Sequence, residues 1–125
     1  MPKSAKKTKV IGVVGSRRRA TFEDFAACEA AVLALLEPGD ALVSGGCPTG
    51  GDAFAERIAK ARGLTITIHF PDWKGPAKRG AGFARNTKIA RDCDVLVAVV
   101  AEDRTGGTED TVKKALKLGK RVVYV

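Results

Sequence analysis

Three times in this chain a short apolar run gives way to a glycine-rich segment. Gly15-Ser16-Arg17 follows the run at 10–14, a loop carrying Ser44, Gly45, Gly46, Gly50, Gly51 and Asp52 follows 41–43, and Thr105-Gly106-Gly107-Thr108 follows 95–100. Strand, glycine loop and helix in that repeated order is how a parallel α/β sheet builds an anion-binding edge. Glycine lets backbone amides approach a ligand, and the helix that follows presents N–H groups with no partner of their own. The pattern predicts a small nucleotide-binding domain with all three glycine loops at one edge of the sheet.

The elements between these loops can be read in turn. A strand is expected over 9–14, a helix from an N-cap at Thr21 to about 36, a strand over 41–43 and a helix from 52 to about 62 that Gly63 ends. A third strand follows over 64–70, then a polar, glycine-rich loop over 71–82 of the kind that forms lids, and a helix over 84–91. Strand 94–100, helix 109–118 and strand 121–125 complete the chain. Strict alternation predicts a Rossmann-like three-layer α/β sandwich whose five parallel strands run in the order 3-2-1-4-5, with ligands outside the carboxyl ends of strands one and four. At 125 residues, 45% hydrophobic and 6% aromatic, the chain suits one domain over 9–125 with a Val, Ile, Leu and Ala core.

Charge and cysteine content narrow the function classes. Of the net charge of +8, four units come from Lys3, Lys6, Lys7 and Lys9, so residues 1–8 read as a disordered basic tail, a solvated arm or a contact for nucleic acid. No apolar run is long enough to span a bilayer and no signal peptide is visible, so a cytoplasmic protein without membrane partners is expected. Cys28, Cys47 and Cys93 show no C-x-x-C spacing and have only His69 for company, so neither metal nor cofactor is expected and the thiols should be reduced. Cys28 and Cys93 read as buried small hydrophobes. Cys47, in a glycine loop near a helix start, has a setting that can lower a thiol pKa but no base or resolving cysteine near it in sequence.

Two familiar nucleotide sites are excluded. The first loop, Gly12-Val13-Val14-Gly15-Ser16, is not G-x-G-x-x-G, and strand two ends in Val43-Ser44 rather than an acid, which removes the dinucleotide fingerprint. Gly45 and Gly50 have P-loop spacing, but Gly51-Asp52 stands where lysine and a hydroxyl residue are required. What remains is a cradle of backbone amides, with Ser16, Ser44, Thr105 and Thr108 as hydroxyl donors and at least one of Arg17, Arg18 and Arg19 reaching a phosphate. Asp52 reads first as the N-cap of its helix and second as a contact for sugar hydroxyls. Trp73 either stacks on a base or anchors its loop; Asn86 either reads a base or caps a helix; Arg85 faces either pocket or solvent.

Taken in order, Gly15-Ser16-Arg17, Ser44-Gly45-Gly46 through Gly50-Gly51-Asp52, Pro71-Asp72-Trp73, Ala81-Gly82-Phe83-Ala84-Arg85-Asn86 and Gly106-Gly107-Thr108 resemble the SLOG superfamily. The resemblance is closest to its YspA-like branch of small single-domain proteins and more distant to the LOG phosphoribohydrolases and the DNA-processing DprA proteins. It implies a Rossmann-like fold that binds a nucleotide or nucleotide-derived ligand, in a binding module or sensor, and homo-oligomers are common among such relatives. The LOG enzymes split a nucleoside monophosphate with an arginine in M-x-x-R-K and a glutamate in G-G-x-G-T-x-x-E. Arg85 resembles that arginine, but Thr111 stands where the glutamate would be. Catalysis would then fall to Arg85 with Glu109 or Asp110, whose side chains leave the helix about 100° to 200° away from that of Thr111. Retained binding with lost hydrolysis is the preferred expectation; a nucleotide N-glycosidic hydrolase and a DNA-binding accessory protein are the alternatives.

Overall fold

The first strand, β1 (Val10–Gly15), takes the centre of a five-stranded parallel sheet, because its neighbours in space come from opposite halves of the chain. Ile11 lies opposite Leu42 of β2 (Ala41–Ser44) on one side and opposite Val95 of β4 (Val95–Val99) on the other. β3 (Ile66–Ile68) and β5 (Arg121–Tyr124) form the edges, giving the order β3-β2-β1-β4-β5. This computed structural model describes residues 8–75 and 80–125. The basic tail at 1–7 and part of the expected lid, 76–79, therefore lie outside the described residues.

Four helices cover the two faces: α1 (Phe22–Leu35), α2 (Gly51–Arg62), α3 (Ala81–Asp92) and α4 (Gly107–Lys117). The period-2 alternation of the strands divides the core between them. Val95, Val97 and Val99 pack with Cys28 and Val32 of α1 and Phe54, Ala55 and Ile58 of α2. Leu96 and Ala98 point the other way, onto Ile89 and Ala90 of α3 and Val112 and Ala115 of α4. All five β4 residues are buried, which explains their unbroken apolar run.

α1 begins as its sequence suggests. Thr21 Oγ1 accepts from the Asp24 N–H at 3.1 Å and the Asp24 carboxylate accepts from the Thr21 N–H at 3.2 Å, a complete capping box. The other three helices start on Gly50, Gly80 and Gly106, none of which supplies a side-chain cap. The expected N-cap at Asp52 is thereby corrected: Asp52 is the second residue of α2, and its carboxylate turns away from the free N–H groups of that helix. α3 begins at Ala81, three residues before the expected 84, and α4 at Gly107, two before the expected 109. In both cases glycines inside the first turn hide the start. Lys9, the first residue of the expected strand, is tied down by Asp40 at 2.6 Å and Glu37 at 3.1 Å.

Candidate functional site

The carboxyl ends of β1, β2 and β4 converge on a cavity of about 390 Å³. Close approach of backbones shapes it. A Cβ on Gly51 would lie 2.4 Å from Gly15 N, and one on Gly50 would lie 2.5 Å from Ser16 O, so the start of α2 rests directly on the end of β1. Gly50 also holds a φ of 78°, which side-chain-bearing residues rarely adopt. Gly15 lines the cavity, whereas Gly50 and Gly51 stand behind it and set its shape.

Of the residues singled out in the sequence, Gly15, Ser16, Arg17, Asp52, Arg85, Asn86, Gly106, Gly107 and Thr108 line this cavity. Ser44, Gly45 and Gly46 stand behind the lining, where Gly46 packs against Phe70 and Gly45 leaves room for Arg85 and Asp52. Trp73 is 60% exposed and lies outside, its ring against Gly82. Glu109 and Asp110 also lie outside: Glu109 pairs with Arg104 at 2.8 Å, and Asp110 with Lys114 at 2.6 Å.

The three arginines after β1 have separate duties. Arg18 spans to the β4–α4 loop, holding the Asp103 carboxylate at 3.0 Å and Thr105 Oγ1 at 2.8 Å. That contact keeps the Asp103 carboxyl down at about 2. Arg19 turns back into the body, bonding Asp24 at 2.7 Å and the carbonyls of Val100 and Val125 at 2.8 and 2.9 Å. Arg17 is exposed on the cavity rim and makes no hydrogen bond or ion pair among the described residues.

At the opposite wall, Arg85 donates to Gly45 O at 2.5 Å and to Asn86 Oδ1 at 2.8 Å. Asn86 is 6% exposed and passes the contact on, its Nδ2 donating to Asp110 at 3.1 Å. It therefore braces α3 against α4. Arg85 also borders a smaller cleft of about 90 Å³ walled by Phe70, Ala84 and Lys88.

The start of α4 supplies the donors. Gly106 has no side chain to offer, so no side chain caps the first amides of α4. Thr111, one turn further on the same face, is 1% exposed and lines the cavity. No fully buried side-chain nitrogen or oxygen among the described residues lacks a partner, and the Thr111 hydroxyl makes no hydrogen bond there, so that hydroxyl reaches the cavity. Sequence reading treated Thr111 as a lost carboxylate; its spacing of four from Gly107 was the cue to a retained donor. Val14 and Ile89 form an apolar floor that was not foreseen, although Ile89 falls one helical turn beyond Arg85 and Asn86. Half-buried Cys47 also lines the cavity. Burial pushes the Cys28 thiol up to about 12 and raises that of Cys93, so neither is a nucleophile at neutral pH.

Asp52 is the acidic member of the lining. It is 6% exposed, accepts from the Cys47 N–H at 3.1 Å and lies 3.1 Å from Ser44 Oγ. Burial raises its pKa, opposed by the Cys47 N–H and the charge of Arg85.

The family described as SLOG cluster4 matches this chain over residues 8–125. No curated protein sequence matches it. Among solved structures, the molybdenum cofactor binding protein from the phototrophic bacterium Rippkaea orientalis is similar at 28% identity and a TM-score of 0.72, over 96% of this chain and 77% of that one. The molybdenum cofactor carrier protein of Chlamydomonas reinhardtii is similar at 27% identity and a TM-score of 0.70, over 94% and 76%. The structure named TM1055, at 21% identity, a TM-score of 0.68 and coverage of 92% and 72%, shares the fold. Among the described residues no helix is long and apolar enough to cross a membrane.

Proposed function

Since this chain belongs to the SLOG cluster4 family, we propose that it is a binding module for a phosphorylated small molecule of nucleotide type, held at the junction of β1, β2 and β4. The observation that carries this reading is the Thr111 hydroxyl, buried and unpartnered among the described residues, on the cavity wall one turn from the uncapped start of α4. A phosphate oxygen satisfies both needs at once, because it accepts from the hydroxyl and from the first amides of the helix. Arg17 stands free on the rim to close the anion from the other side. The volume of about 390 Å³ suits one small organic phosphate.

Binding without hydrolysis is the better supported role. Breaking an N-glycosidic bond passes through a cationic sugar, which a carboxylate in the cavity would stabilise. Glu109 and Asp110 are occupied by Arg104 and Lys114 outside it, Thr111 has no charge to offer, and burial disfavours the charged form of Asp52, the acid that does line the cavity.

The neighbours favour a second ligand of the same chemistry. Two of them are a molybdenum cofactor binding protein and a molybdenum cofactor carrier protein, and that cofactor is a phosphorylated pterin. Thr111, the α4 amides and Arg17 fit its phosphate as they fit that of a nucleotide, and here the group would be cargo. Calorimetry of the full chain with AMP, with ADP-ribose and with NAD, together with molybdenum analysis of the protein as purified, tests the proposal. Micromolar binding of a phosphorylated ligand, weakened at least about tenfold in Thr111→Val, is expected. No heat from any ligand at millimolar concentration and no bound molybdenum would overturn it.

A further inference from the structure

Asp52 is out of place in an anion pocket. It shares the lining with three arginines, Arg17, Arg18 and Arg85, yet pairs with none of them among the described residues and is nine-tenths buried. It caps nothing, since α2 begins on Gly50 without a side-chain bond. Ser44 has one hydroxyl proton and two acceptors in reach, Val13 O at 2.5 Å and Asp52 Oδ1 at 3.1 Å, so the carboxylate shares that donor with a backbone carbonyl. The Cys47 N–H donates to Oδ2 at 3.1 Å, so two neutral donors serve the carboxylate. Without an ion pair a buried carboxylate costs stability where it lies, and its charge repels phosphate. Glu56, on its own helix, adds to the like charge, and Arg85 of α3 offsets it.

The topology says what it serves. Asp52 follows β2, whereas Thr111 and the start of α4 follow β4, and β1 runs between the two. The cavity thus has the Thr111 hydroxyl and the α4 start on the β4 side, and on the β2 side an acceptor, Asp52, beside the Arg85 guanidinium that is already bonded to Gly45 O. A ligand filling it is an anion at one end and a hydrogen-bond donor at the other.

Resting on the phosphate-pocket reading above, we infer that Asp52 is the specificity residue of this cavity, accepting hydrogen bonds from adjacent O–H or N–H groups on the organic part of a phosphate monoester. Two sources carry such donors, the vicinal hydroxyls of a ribose and the amino-pyrimidine edge of a guanine-like or pterin-like ring. Inorganic phosphate lacks them. Extended polyphosphates bring charge toward the carboxylate and are selected against.

Calorimetry on the full chain at neutral pH separates the cases, with AMP against 2′,3′-dideoxy-AMP, GMP against IMP, and inorganic phosphate as probes. The first pair differs only in the ribose hydroxyls and the second only in the amino group. At least one ratio is expected to reach roughly tenfold in the unaltered protein. In Asp52→Asn, which keeps one acceptor oxygen and loses the pair, that ratio should fall below about twofold while the melting temperature stays level or rises. Both ratios within about twofold in the unaltered protein overturn the inference alone, whether or not the variant folds. So does a variant that keeps the preference, or one that melts lower as loss of a structural bond would require. No binding by any monoester overturns the phosphate-pocket reading and this inference with it.

Discussion

The Arg17-Arg18-Arg19 run shows how little residue type says about role at the scale of a single side chain. Arg19 anchors two carbonyls and Asp24, Arg18 ties two loops, and of the three only Arg17 makes no hydrogen bond or ion pair among the described residues. Arg19→Ala leaves part-buried carbonyls unpaired and should lower stability by about 1–3 kcal/mol in denaturant unfolding. Arg17→Ala should leave the unfolding midpoint unchanged and weaken phosphate-ligand binding in calorimetry several-fold. Asp52 carries a pH signature of opposite sign to a salt-bridged carboxylate. Burial raises its folded pKa above the ordinary 3.8, so its stabilising contribution is complete below that value and is lost as pH rises through the folded value. Asp52→Asn should therefore raise the melting temperature at pH 7 and have little effect near pH 3.5, checked by thermal scans at the two pH values. The cap reading of Asp52 failed because the glycines before it let α2 start two residues earlier, which put the carboxylate inside the pocket wall.

At the scale of elements, strands were legible because β-branched runs bounded by glycine leave few alternatives, while helix starts were legible only where a side chain marks them. Thr21 and Asp24 form a reciprocal cap that the sequence displays, and the helix begins where they predict. α3 and α4 begin on backbone amides left bare by Gly80 and Gly106, and no side chain announces them. Bare starts at the ligand edge and a capped start at α1 are two uses of one feature: free amides are a cost in a structural helix and a donor set beside an anion. Thr21→Ala should cost about 1 kcal/mol and leave ligand affinity intact. Gly51→Ala drives a methyl into the backbone of β1 and should cost about 3 kcal/mol and disturb binding as well. Denaturant unfolding paired with calorimetry separates a purely local loss from one that also moves the site.

The whole molecule follows from the position of β1. Because its two neighbours arise from opposite halves of the chain, the crevice at its carboxyl end gathers the Gly15, Gly45 to Gly51 and Gly106 loops. That convergence was readable from alternation and glycine placement alone. Which side chains face the crevice was not, since it depends on the helix phase set by starts the sequence conceals; Thr111 and Ile89 enter the wall that way, and Trp73 stays out. In the function proposed above, a phosphate sits where α4 begins. Titrating AMP into the ¹⁵N-labelled full chain and following backbone amide resonances tests it most directly. The largest shifts are expected at Ser16, Gly107, Thr108 and Thr111; shifts confined to residues far from the cavity, such as Lys60 to Arg62, or none at millimolar ligand, would contradict it.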